Sequence, residues 1–285
     1  MGGVADPYGQ VAVITGAGSG LGRAMAIVFS GAGAAVAALD LDREGAAETA
    51  AEITRAGGKA EAFGVDVSDP AGLSGTAQAV RDAFGACHVL CANVGVQQFG
   101  AIDRLTLDDW RWVLDVNVLG TVNTVSAFLP LLRTSEGRRQ ILLTSSSGVH
   151  SPGVRLGAYT TSKFAVMGYG ETLRMELEPE GIGVSVLFPA GMMTRHLESS
   201  AIARPAERGP SVTLPDDIEA MMASRDMTQD SRSVVTAEVA VRNLLAELAT
   251  NPAYIVTHGS YLDVLAQRHA DLLAAYHRGQ RGLPS

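Results

Sequence analysis

The chain has 285 residues, of which 47% are hydrophobic and 18% charged, an ordinary composition for a globular protein with a sizeable core. Its formal net charge of −8 argues against a general affinity for nucleic acids or anionic membranes, which would need a basic patch. No apolar run approaches the roughly 18 residues of a membrane span, and Met1–Tyr8 lacks the pattern of a secretion signal, so we expect a cytoplasmic protein.

Short β-branched segments alternate with longer amphipathic segments over the first two thirds of the chain. The predicted strands are Gln10–Ile14, Ala35–Leu39, Ala60–Val65, His88–Ala92, Arg139–Thr144 and Gly183–Phe188. The predicted helices are Leu21–Ala32, Arg43–Ala56, Pro70–Phe84, Thr106–Arg133 (capped by Thr106 with Asp109) and Ala158–Glu178. This alternation predicts a doubly wound parallel sheet of the Rossmann type, with helices on both faces.

The pattern changes after the sixth predicted strand. Residues 190–235 mix Met, Pro, Arg and Ser around one short helical piece near Pro215–Ala223, and we interpret them as a long, mostly irregular substrate lid. A helix at Thr236–Ala249 and a strand at Tyr254–Thr257 then resume the pattern. An amphipathic segment, Tyr261–Arg278, occupies the tail 259–285. We expect residues 1–285 to form one α/β domain with a lid insertion and a C-terminal helical tail.

The two cysteines, Cys87 and Cys91, lie four residues apart on a predicted strand and are expected to point to one face. They lack the His and Cys neighbours of a metal site. Two buried, reduced thiols and no bound metal are therefore predicted.

A glycine-rich turn with the spacing Gly-x3-Gly-x-Gly joins the first predicted strand to the first helix. A dinucleotide pyrophosphate needs backbone N–H groups, a close approach without Cβ atoms and a helix N-terminus behind it. Gly16 can make the sharp turn, Gly20 can admit the phosphates, and Gly22 can let the helix pack on the sheet. With Ser19 and Leu21 these glycines form a candidate dinucleotide site, the alternative being a glycine turn without a ligand. The Gly-Lys-Ser/Thr ending of a P-loop is absent.

Asp40 ends the second predicted strand, where a carboxylate can accept hydrogen bonds from both hydroxyls of an adenosine ribose. The same carboxylate would repel a 2′-phosphate, and the next residues are Leu41 and Asp42. This arrangement favours NAD over NADP. The alternative is that Asp40 only caps the helix beginning at Arg43.

Tyr159 and Lys163 stand four residues apart on a predicted helix, so both project from one face. The pKa of a free tyrosine is about 10, too high for a base at neutral pH. An ammonium group ~4 Å away contributes roughly 4 kcal/mol in favour of the phenolate, at an effective dielectric constant of ~20. Lys163 would thus make Tyr159 a usable acid/base. By itself this spacing also fits a surface pair without a function.

The pair occurs within an ordered set of motifs. In chain order these are Thr15-Gly-x3-Gly-x-Gly, Asn93-Val94-Gly95 after the fourth strand, Asn117, and Ser146 thirteen residues before Tyr159. Over roughly residues 10–258 the chain resembles the short-chain dehydrogenase/reductase family in this set.

The resemblance implies a role for each of four side chains. Ser146 would orient the substrate oxygen and Tyr159 would pass the proton. Lys163 would lower the pKa of Tyr159 and hold the nicotinamide ribose, and Asn117 would support a water chain that reaches Lys163. Ser146 is chosen over its neighbours because its spacing to the tyrosine matches the family. Those neighbours, also serines, are Ser145 and Ser147.

The resemblance also implies further cofactor contacts. They are Asp66 and Val67 at the adenine, Asn93 and Gly95 after the fourth strand, Pro189 before the lid, and Thr194 at the carboxamide. Two positions depart from the family pattern. Ala92 stands where Asn-Asn-Ala-Gly has its first asparagine, and Ala190 stands where Pro-Gly-x-x-x-Thr has its glycine, so the backbone in those turns is expected to differ.

The expected function is hydride transfer between NAD(H) and a secondary alcohol or ketone, in a homodimer or homotetramer. Five methionines in the lid suit an apolar, aromatic or steroid-like substrate, with ordinary packing as the alternative. We expect His150 and His196 to be solvated, with substrate contact as the alternative. Two other functions stay open, an NAD-binding regulator without turnover and a lyase or epimerase that uses NAD transiently. The methionines are Met192, Met193, Met221, Met222 and Met227.

Overall fold

The computed structural model describes residues 9–193, 196–224 and 234–280. The main strands are β1 (Val11–Thr15), β2 (Ala35–Asp40), β3 (Ala60–Gly64), β4 (Val89–Ala92), β5 (Arg139–Thr144) and β6 (Ile182–Phe188). Two short strands follow, β7 (Gly191–Met192) and β8 (Val234–Val235), and then β9 (Tyr254–Val256). Seven strands form one parallel sheet in the order β3, β2, β1, β4, β5, β6, β9, while β7 pairs with β8.

Helices cover both faces of this sheet. They are α1 (Gly20–Gly31), α2 (Arg43–Arg55), α3 (Pro70–Phe84), α4 (Leu107–Leu114), α5 (Gly120–Thr134) and α6 (Gly157–Leu177), then α7 (His196–Ile202), α8 (Pro215–Ser224), α9 (Ala237–Val241), α10 (Leu244–Ala249) and α11 (Leu262–Gln280). One core layer joins the sheet to α1, α2, α9 and α10, and the other joins it to α3, α5 and α6.

The central strands are apolar because both of their faces are buried. On β1, Ala12 and Ile14 belong to the layer with α1, while Val13 belongs to the layer with α3. Such a run is typical of a parallel sheet covered on both sides. The doubly wound Rossmann-type fold expected from the sequence is confirmed. Strands β2 and β3 extend the sheet on one side of β1, and β4 begins its other side, so the topological switch point lies between β1 and β4.

Two long predicted helices are interrupted. The stretch predicted as Thr106–Arg133 consists of α4, a π-helical turn at Asp115–Leu119 and α5, and the expected capping box of Thr106 with Asp109 is present. The helix predicted at Thr236–Ala249 is broken at Arg242 and Asn243 into two short helices, α9 and α10. Periodicity alone does not report such interruptions, because the apolar spacing continues through them.

The same region of α4 and α5 is the one described helix long and apolar enough to cross a membrane, over Leu107–Thr134. Its most apolar window is 44% buried in the protein. Phe128 and Leu132 of α5 are fully buried in the layer with α3. A helix that packs in a protein core can therefore be as long and as apolar as one that crosses a membrane.

The lid is more regular than predicted. The ladder of β7 with β8 joins its two ends, and α7 and α8 lie between them. Two internal ion pairs fix it to the rest of the fold. The Arg204 guanidinium lies 2.7 Å from Asp109, and Arg104 lies 2.6 Å from Asp217. The helical piece expected near Pro215–Ala223 is confirmed as α8. Over the described residues of this segment, the expectation of mostly irregular chain is wrong, because short helices with mixed polar faces leave little periodicity in the sequence.

The cysteines are free and buried, but they lie in different core layers. Cys91 is on β4 and belongs to the layer with α1, whereas Cys87 precedes the strand and belongs to the layer with α3. The prediction that they share a face is wrong, because the strand begins only at Val89 and its alternation does not extend back to Cys87. Within the described ranges, no group of three His, Cys, Asp or Glu side chains could hold a metal.

Candidate active site

The glycine-rich turn lies between β1 and α1, at the carboxyl edge of the sheet. Gly16 adopts a φ of +70°, a left-handed conformation that glycine accepts without strain. A Cβ atom on Gly22 would collide with the carbonyl oxygen of Gly16, so turn and helix can approach this closely only with glycine. Ser19 is the N-cap of α1, followed by Gly20 and Leu21. The N–H groups at this helix end suit a phosphate.

Asp40 closes β2 beside this turn. One carboxylate oxygen accepts a hydrogen bond from the Gly18 N–H at 2.8 Å, and the other accepts one from the Asp42 N–H at 3.0 Å. Burial raises the pKa of the Asp40 carboxyl, while these backbone hydrogen bonds oppose that effect. Asp42 is the cap of α2, since its side chain accepts from the Gly45 N–H at 3.2 Å. The helix-cap interpretation of Asp40 is therefore wrong.

The predicted adenine contacts lie after β3. Asp66 is exposed, and one of its oxygens accepts hydrogen bonds from the backbone and the hydroxyl of Ser68. Val67 is buried, and its carbonyl accepts from the Asn123 amide at 3.1 Å. Asp66 and Val67 thus follow the strand next to the one that ends at Asp40.

Asn93 joins three strand ends at the switch point of the sheet. Its N–H donates to the Thr15 hydroxyl at 2.9 Å, and its side-chain amide donates to the Thr15 carbonyl at 3.2 Å. Its side-chain oxygen accepts from the Thr144 hydroxyl at 3.1 Å. Asn93 therefore ties β1, β4 and β5 together where ligands bind in doubly wound sheets.

Lys163 is a buried cation on α6. Its ammonium donates to the Thr144 carbonyl at 3.1 Å and lies 5.7 Å from the ring centroid of Tyr159. Burial lowers the pKa of Lys163 to about 8. A Cβ atom on Gly95 would lie 2.9 Å from this ammonium, so the glycine leaves room for the lysine.

Asn117 lies inside the π-helical turn and is fully buried. Its side-chain oxygen accepts from the Val96 N–H at 2.7 Å, and its amide donates to the Val96 carbonyl and to the Ser162 hydroxyl. The structure therefore places Asn117 between the segment after Gly95 and the residue preceding Lys163.

Ser145 and Ser146 have different surroundings although they are neighbours in the chain. The Ser145 hydroxyl donates to the Lys163 carbonyl at 2.8 Å, and this bond fixes β5 against α6. The Ser146 hydroxyl accepts from the Gly148 N–H at 3.1 Å and caps a short 3₁₀ turn, Ser147–Val149. Ser146 thus keeps its own hydroxyl hydrogen for a second partner.

Tyr159 is 7% exposed, and apolar side chains pack against it. It clusters with the buried Phe99 and Leu156, and Met221 of the lid packs against them. His196 of the lid lies edge-on to the Tyr159 ring, with the ring centroids 6.5 Å apart.

The two histidines expected to be solvated are both partly buried. Burial lowers the pKa of His196 to about 4, and the positive charge of Lys163 acts in the same direction. The His150 ring lies 4.6 Å from that of Phe188, and burial followed by the Arg268 charge lowers the pKa of His150. The solvated interpretation is wrong for both, because the Tyr159 ring lies beside His196, and the Phe188 and Tyr261 rings lie beside His150.

The segment that leads into the lid is held at several points. The Pro189 carbonyl accepts from the Ser147 N–H at 2.8 Å, which joins it to the serine turn. His258 bridges the Thr257 hydroxyl at 2.7 Å and the Gly191 carbonyl at 2.8 Å. Thr194 and Met227 lie outside the described residues.

Several side chains at the site were not singled out from the sequence. Phe99, Leu156 and Arg268 give no local signal, because folding brings them together from distant parts of the chain. Arg268 of α11 donates to the Val149 carbonyl at 2.6 Å, so the C-terminal helix contacts the turn that follows Ser146. The amphipathic pattern of the tail indicated a helix but not this contact.

Comparison with known proteins gives the same result in sequence and in structure. Residues 10–204 match the family model described as short chain dehydrogenase. The C alpha-dehydrogenase of a Sphingobium species is 36% identical over 207 residues, which cover 72% of this chain and 68% of that protein.

A short-chain dehydrogenase/reductase from Burkholderia phymatum, solved in complex with NAD, superposes with a TM-score of 0.85 at 31% identity. The match covers 95% of this chain and 96% of that one. A short chain dehydrogenase from Burkholderia cenocepacia, solved with NADP, superposes with a TM-score of 0.72 at 26% identity, over 90% and 99% of the two chains. Both nicotinamide dinucleotides therefore occur among structures similar to this chain.

Proposed function

Because the chain belongs to the short-chain dehydrogenase/reductase family, we propose that it interconverts bulky secondary alcohols and ketones with NAD as cofactor. The family makes it an oxidoreductase that acts on CH–OH groups of small molecules. The observation that carries the finer proposal is the buried arrangement of Tyr159 beside Lys163, next to the Ser146 turn and at the carboxyl edge of the sheet.

The chemistry follows from this arrangement. The Lys163 ammonium favours the phenolate form of Tyr159 through its charge, and the low exposure of both groups strengthens the interaction. Tyr159 takes the proton from the alcohol oxygen during oxidation and returns it during reduction. Ser146 accepts from the Gly148 N–H and donates its own hydrogen to the same substrate oxygen. Asn117 supports the segment around Lys163.

The residues present fit a nicotinamide dinucleotide. Gly16 and Gly22 carry no Cβ atom at the point where the turn and α1 approach each other closely, and the N-terminus of α1 behind the turn suits a pyrophosphate. When bound, the dinucleotide accepts or supplies the hydride of the reaction. The residues that would hold it are Gly16, Ser19, Gly20, Leu21, Gly22, Asp40, Asp66, Val67, Asn93, Gly95, Tyr159, Lys163, Pro189 and Thr194.

The preference for NAD over NADP rests on charge. Asp40 is followed by Leu41 and a second carboxylate, Asp42, so a 2′-phosphate would meet two negative charges. The nearest basic residue that follows is Arg43, and its side-chain carbons lie against Gly64 on β3. NAD, with free ribose hydroxyls, is the cofactor that suits this edge.

The preference for bulky apolar substrates rests on the surroundings of Tyr159. Phe99, Leu156 and Met221 form an apolar wall beside it. Met adapts its shape to apolar ligands, and such walls are typical of small-molecule sites. The lid supplies Met221 and His196 to this wall, which supports its role as a substrate cover.

The proposal is tested by incubating the purified protein with NAD+ and a panel of secondary alcohols while NADH absorbance is recorded. We expect NADH to accumulate with aryl-substituted secondary alcohols and much less with glycerol. NADH binding without any turnover would indicate a regulator instead. Conversion of substrate without accumulation of NADH would indicate a lyase or epimerase.

The free, buried thiols of Cys87 and Cys91 suit a reducing compartment, which supports a cytoplasmic location. A homodimer or homotetramer is part of the same proposal, on the basis of the exposed apolar side chains of α11.

A further inference from the structure

The C-terminal helix α11 contacts the rest of the fold at a narrow point. Between Leu262 and Gly279, only Leu265 and Arg268 are partly buried, and the other residues are exposed. Arg268 is also placed for a specific contact. Its guanidinium donates to the Val149 carbonyl at 2.6 Å and lies 5.5 Å from the ring centroid of Phe164, the residue after Lys163.

The carbonyl that accepts from Arg268 belongs to the turn built on Ser146. The Ser146 hydroxyl accepts from the Gly148 N–H, and the Ser146 carbonyl accepts from the Val149 N–H at 3.1 Å. Carbonyls at the end of such a turn lack a partner within it. Arg268 satisfies that end with a charge-assisted hydrogen bond.

A second contact of the tail reaches the same turn. The Tyr261 ring, just before α11, lies 5.9 Å from the ring of His150, and His150 in turn contacts Phe188 of β6. The tail therefore covers the residue after the turn as well as its last carbonyl. Both contacts come from residues beyond 204, the last residue matched by the family model.

We propose that Arg268 is a positioning residue for Ser146, which it holds in place by fixing the Ser147–Val149 turn from the C-terminal helix. The inference rests on the proposed function, in which Ser146 orients the substrate oxygen. Arg268 touches no reacting atom and acts through the serine. Its loss lets the turn relax, so the Ser146 hydroxyl spends less time in the orientation that catalysis requires.

A double-mutant cycle tests this inference, with kcat/KM for an aryl secondary alcohol as the readout and NADH affinity recorded by fluorescence. We expect R268M to lower kcat/KM about tenfold, the scale of one charge-assisted hydrogen bond. In the S146A background, R268M should lower kcat/KM almost no further, because Arg268 acts on the substrate through the Ser146 hydroxyl and that hydroxyl is already absent. NADH affinity should stay unchanged in all variants.

The matched control is R278M, which makes the same chemical change at an exposed arginine on the same helix and should leave kcat/KM unchanged. R268K should fall between the wild type and R268M, and it serves in the cycle if R268M does not fold. An R268M effect of equal size with and without Ser146 would overturn the positioning role and leave the proposed function intact. Near wild-type activity of S146A would instead overturn the serine assignment in the proposed function.

Discussion

Lys163 is the residue at which stability and the proposed function conflict most directly. The side chain is buried, with its ammonium on the Thr144 carbonyl, and burial lowers its pKa to about 8. The folded state therefore holds the proton of Lys163 less tightly than the unfolded state does. Stability lost in this way is common at active sites, where a charge is kept for chemistry.

The first prediction is that Lys163→Met makes the free enzyme more stable and abolishes turnover. At pH 7 the buried charge of Lys163 lowers the free energy of unfolding by up to about 3 kcal/mol, because the pKa of this lysine lies well below the ordinary value of 10.5. Thermal unfolding at pH 7 should show a Tm several degrees above that of the wild type.

The pH dependence gives the matched control for this prediction. The unfolded state binds more protons than the folded state between the two pKa values of Lys163, so wild-type stability rises from pH 8 to 10.5 through this group. The difference in Tm between variant and wild type should therefore shrink across that range. A variant that is less stable than the wild type at pH 7 contradicts the prediction.

The second prediction concerns Tyr159, whose ring belongs to the cluster with Phe99 and Leu156. Tyr159→Phe keeps the ring and removes the ionisable oxygen. We expect turnover to fall by about 10²–10⁴-fold, as is usual for loss of an acid/base group, while NADH affinity changes little. Residual activity above about a tenth of wild type excludes Tyr159 as the acid/base.

The third prediction is that the wild type prefers NAD+ and that Asp40→Ala reduces this preference. The variant loses the acceptor for the ribose hydroxyls and one charge that repels a 2′-phosphate. The ratio of kcat/KM for NAD+ to that for NADP+ is the measurement. Asp42→Asn is the comparison, because it removes the second charge, keeps a side chain able to cap α2 and leaves Asp40 in place. It should reduce the preference less than Asp40→Ala does, since the acceptor for the ribose hydroxyls is retained. Equal values of kcat/KM for NAD+ and NADP+ in the wild type would refute the proposal that Asp40 selects NAD.

At the level of elements, the sequence predicted those whose signals are local. The strand β5 and the helix α3 have the predicted bounds, because Pro70 opens the helix and Gly85, with a φ of +76°, ends it. The glycine turn was equally visible, since its spacing carries the geometry. The π-helical turn at Asp115–Leu119 was missed because it is stabilised by contacts of Asn117 with Val96, from another part of the chain.

The lid was the part least visible in the sequence. Its order depends on Arg204 and Asp217, whose partners lie about a hundred residues earlier in the chain. Arg204 also lies 5.2 Å from the Trp112 ring and 3.1 Å from the Gln98 side-chain oxygen. Charged residues with such distant partners have no periodicity, so the sequence pattern indicated only irregular chain.

The fourth prediction tests the anchoring of the lid through Arg204. Its side chain is 6% exposed and that of its partner Asp109 is 0% exposed, so Arg204→Met leaves a buried carboxylate unpaired. Breaking such a pair costs about 3–5 kcal/mol of unfolding free energy. We also expect a higher KM for the alcohol, because the lid contributes Met221 to the wall beside Tyr159.

The control for this prediction is Arg111→Met, which breaks an ion pair with Asp108 whose side chains are 66% and 64% exposed. Exposed pairs contribute about 0–1 kcal/mol, so this variant should unfold like the wild type. Equal unfolding curves for the Arg204 and Arg111 variants mean that the buried pair does not anchor the lid.

At the scale of the whole molecule, α11 has an apolar side that the single chain leaves uncovered. Leu272, Leu273 and Tyr276 are 55%, 46% and 70% exposed, and their spacing places them on neighbouring positions of one helical surface. Leu262, at the start of the helix, is 76% exposed. An apolar stripe of this kind is typical of an interface, which supports the proposed homo-oligomer.

The fifth prediction is that this stripe holds subunits together. We expect the wild type to have the mass of a dimer or tetramer in light scattering after size exclusion, and the double substitution Leu272→Glu with Tyr276→Glu to lower that mass. Two charges in an apolar contact cannot be paired, so the interface loses both area and complementarity. Deletion of residues 260–285 should lower the mass in the same way.

The deletion and the double substitution differ in one respect that separates the two roles of the tail. The deletion removes Arg268 from the Ser146 turn, whereas the double substitution leaves it in place. Turnover of bulky alcohols should therefore fall more in the truncated protein than in the charged variant, with NADH affinity similar in both. Gln267→Glu, at an exposed polar position on the side of α11 opposite this stripe, controls for added charge and should keep the wild-type mass. The α11 interface is ruled out if the wild type is a monomer or if the charged variant keeps the wild-type mass. A catalytic role for the tail is ruled out if the truncated and full-length proteins turn over bulky alcohols equally well.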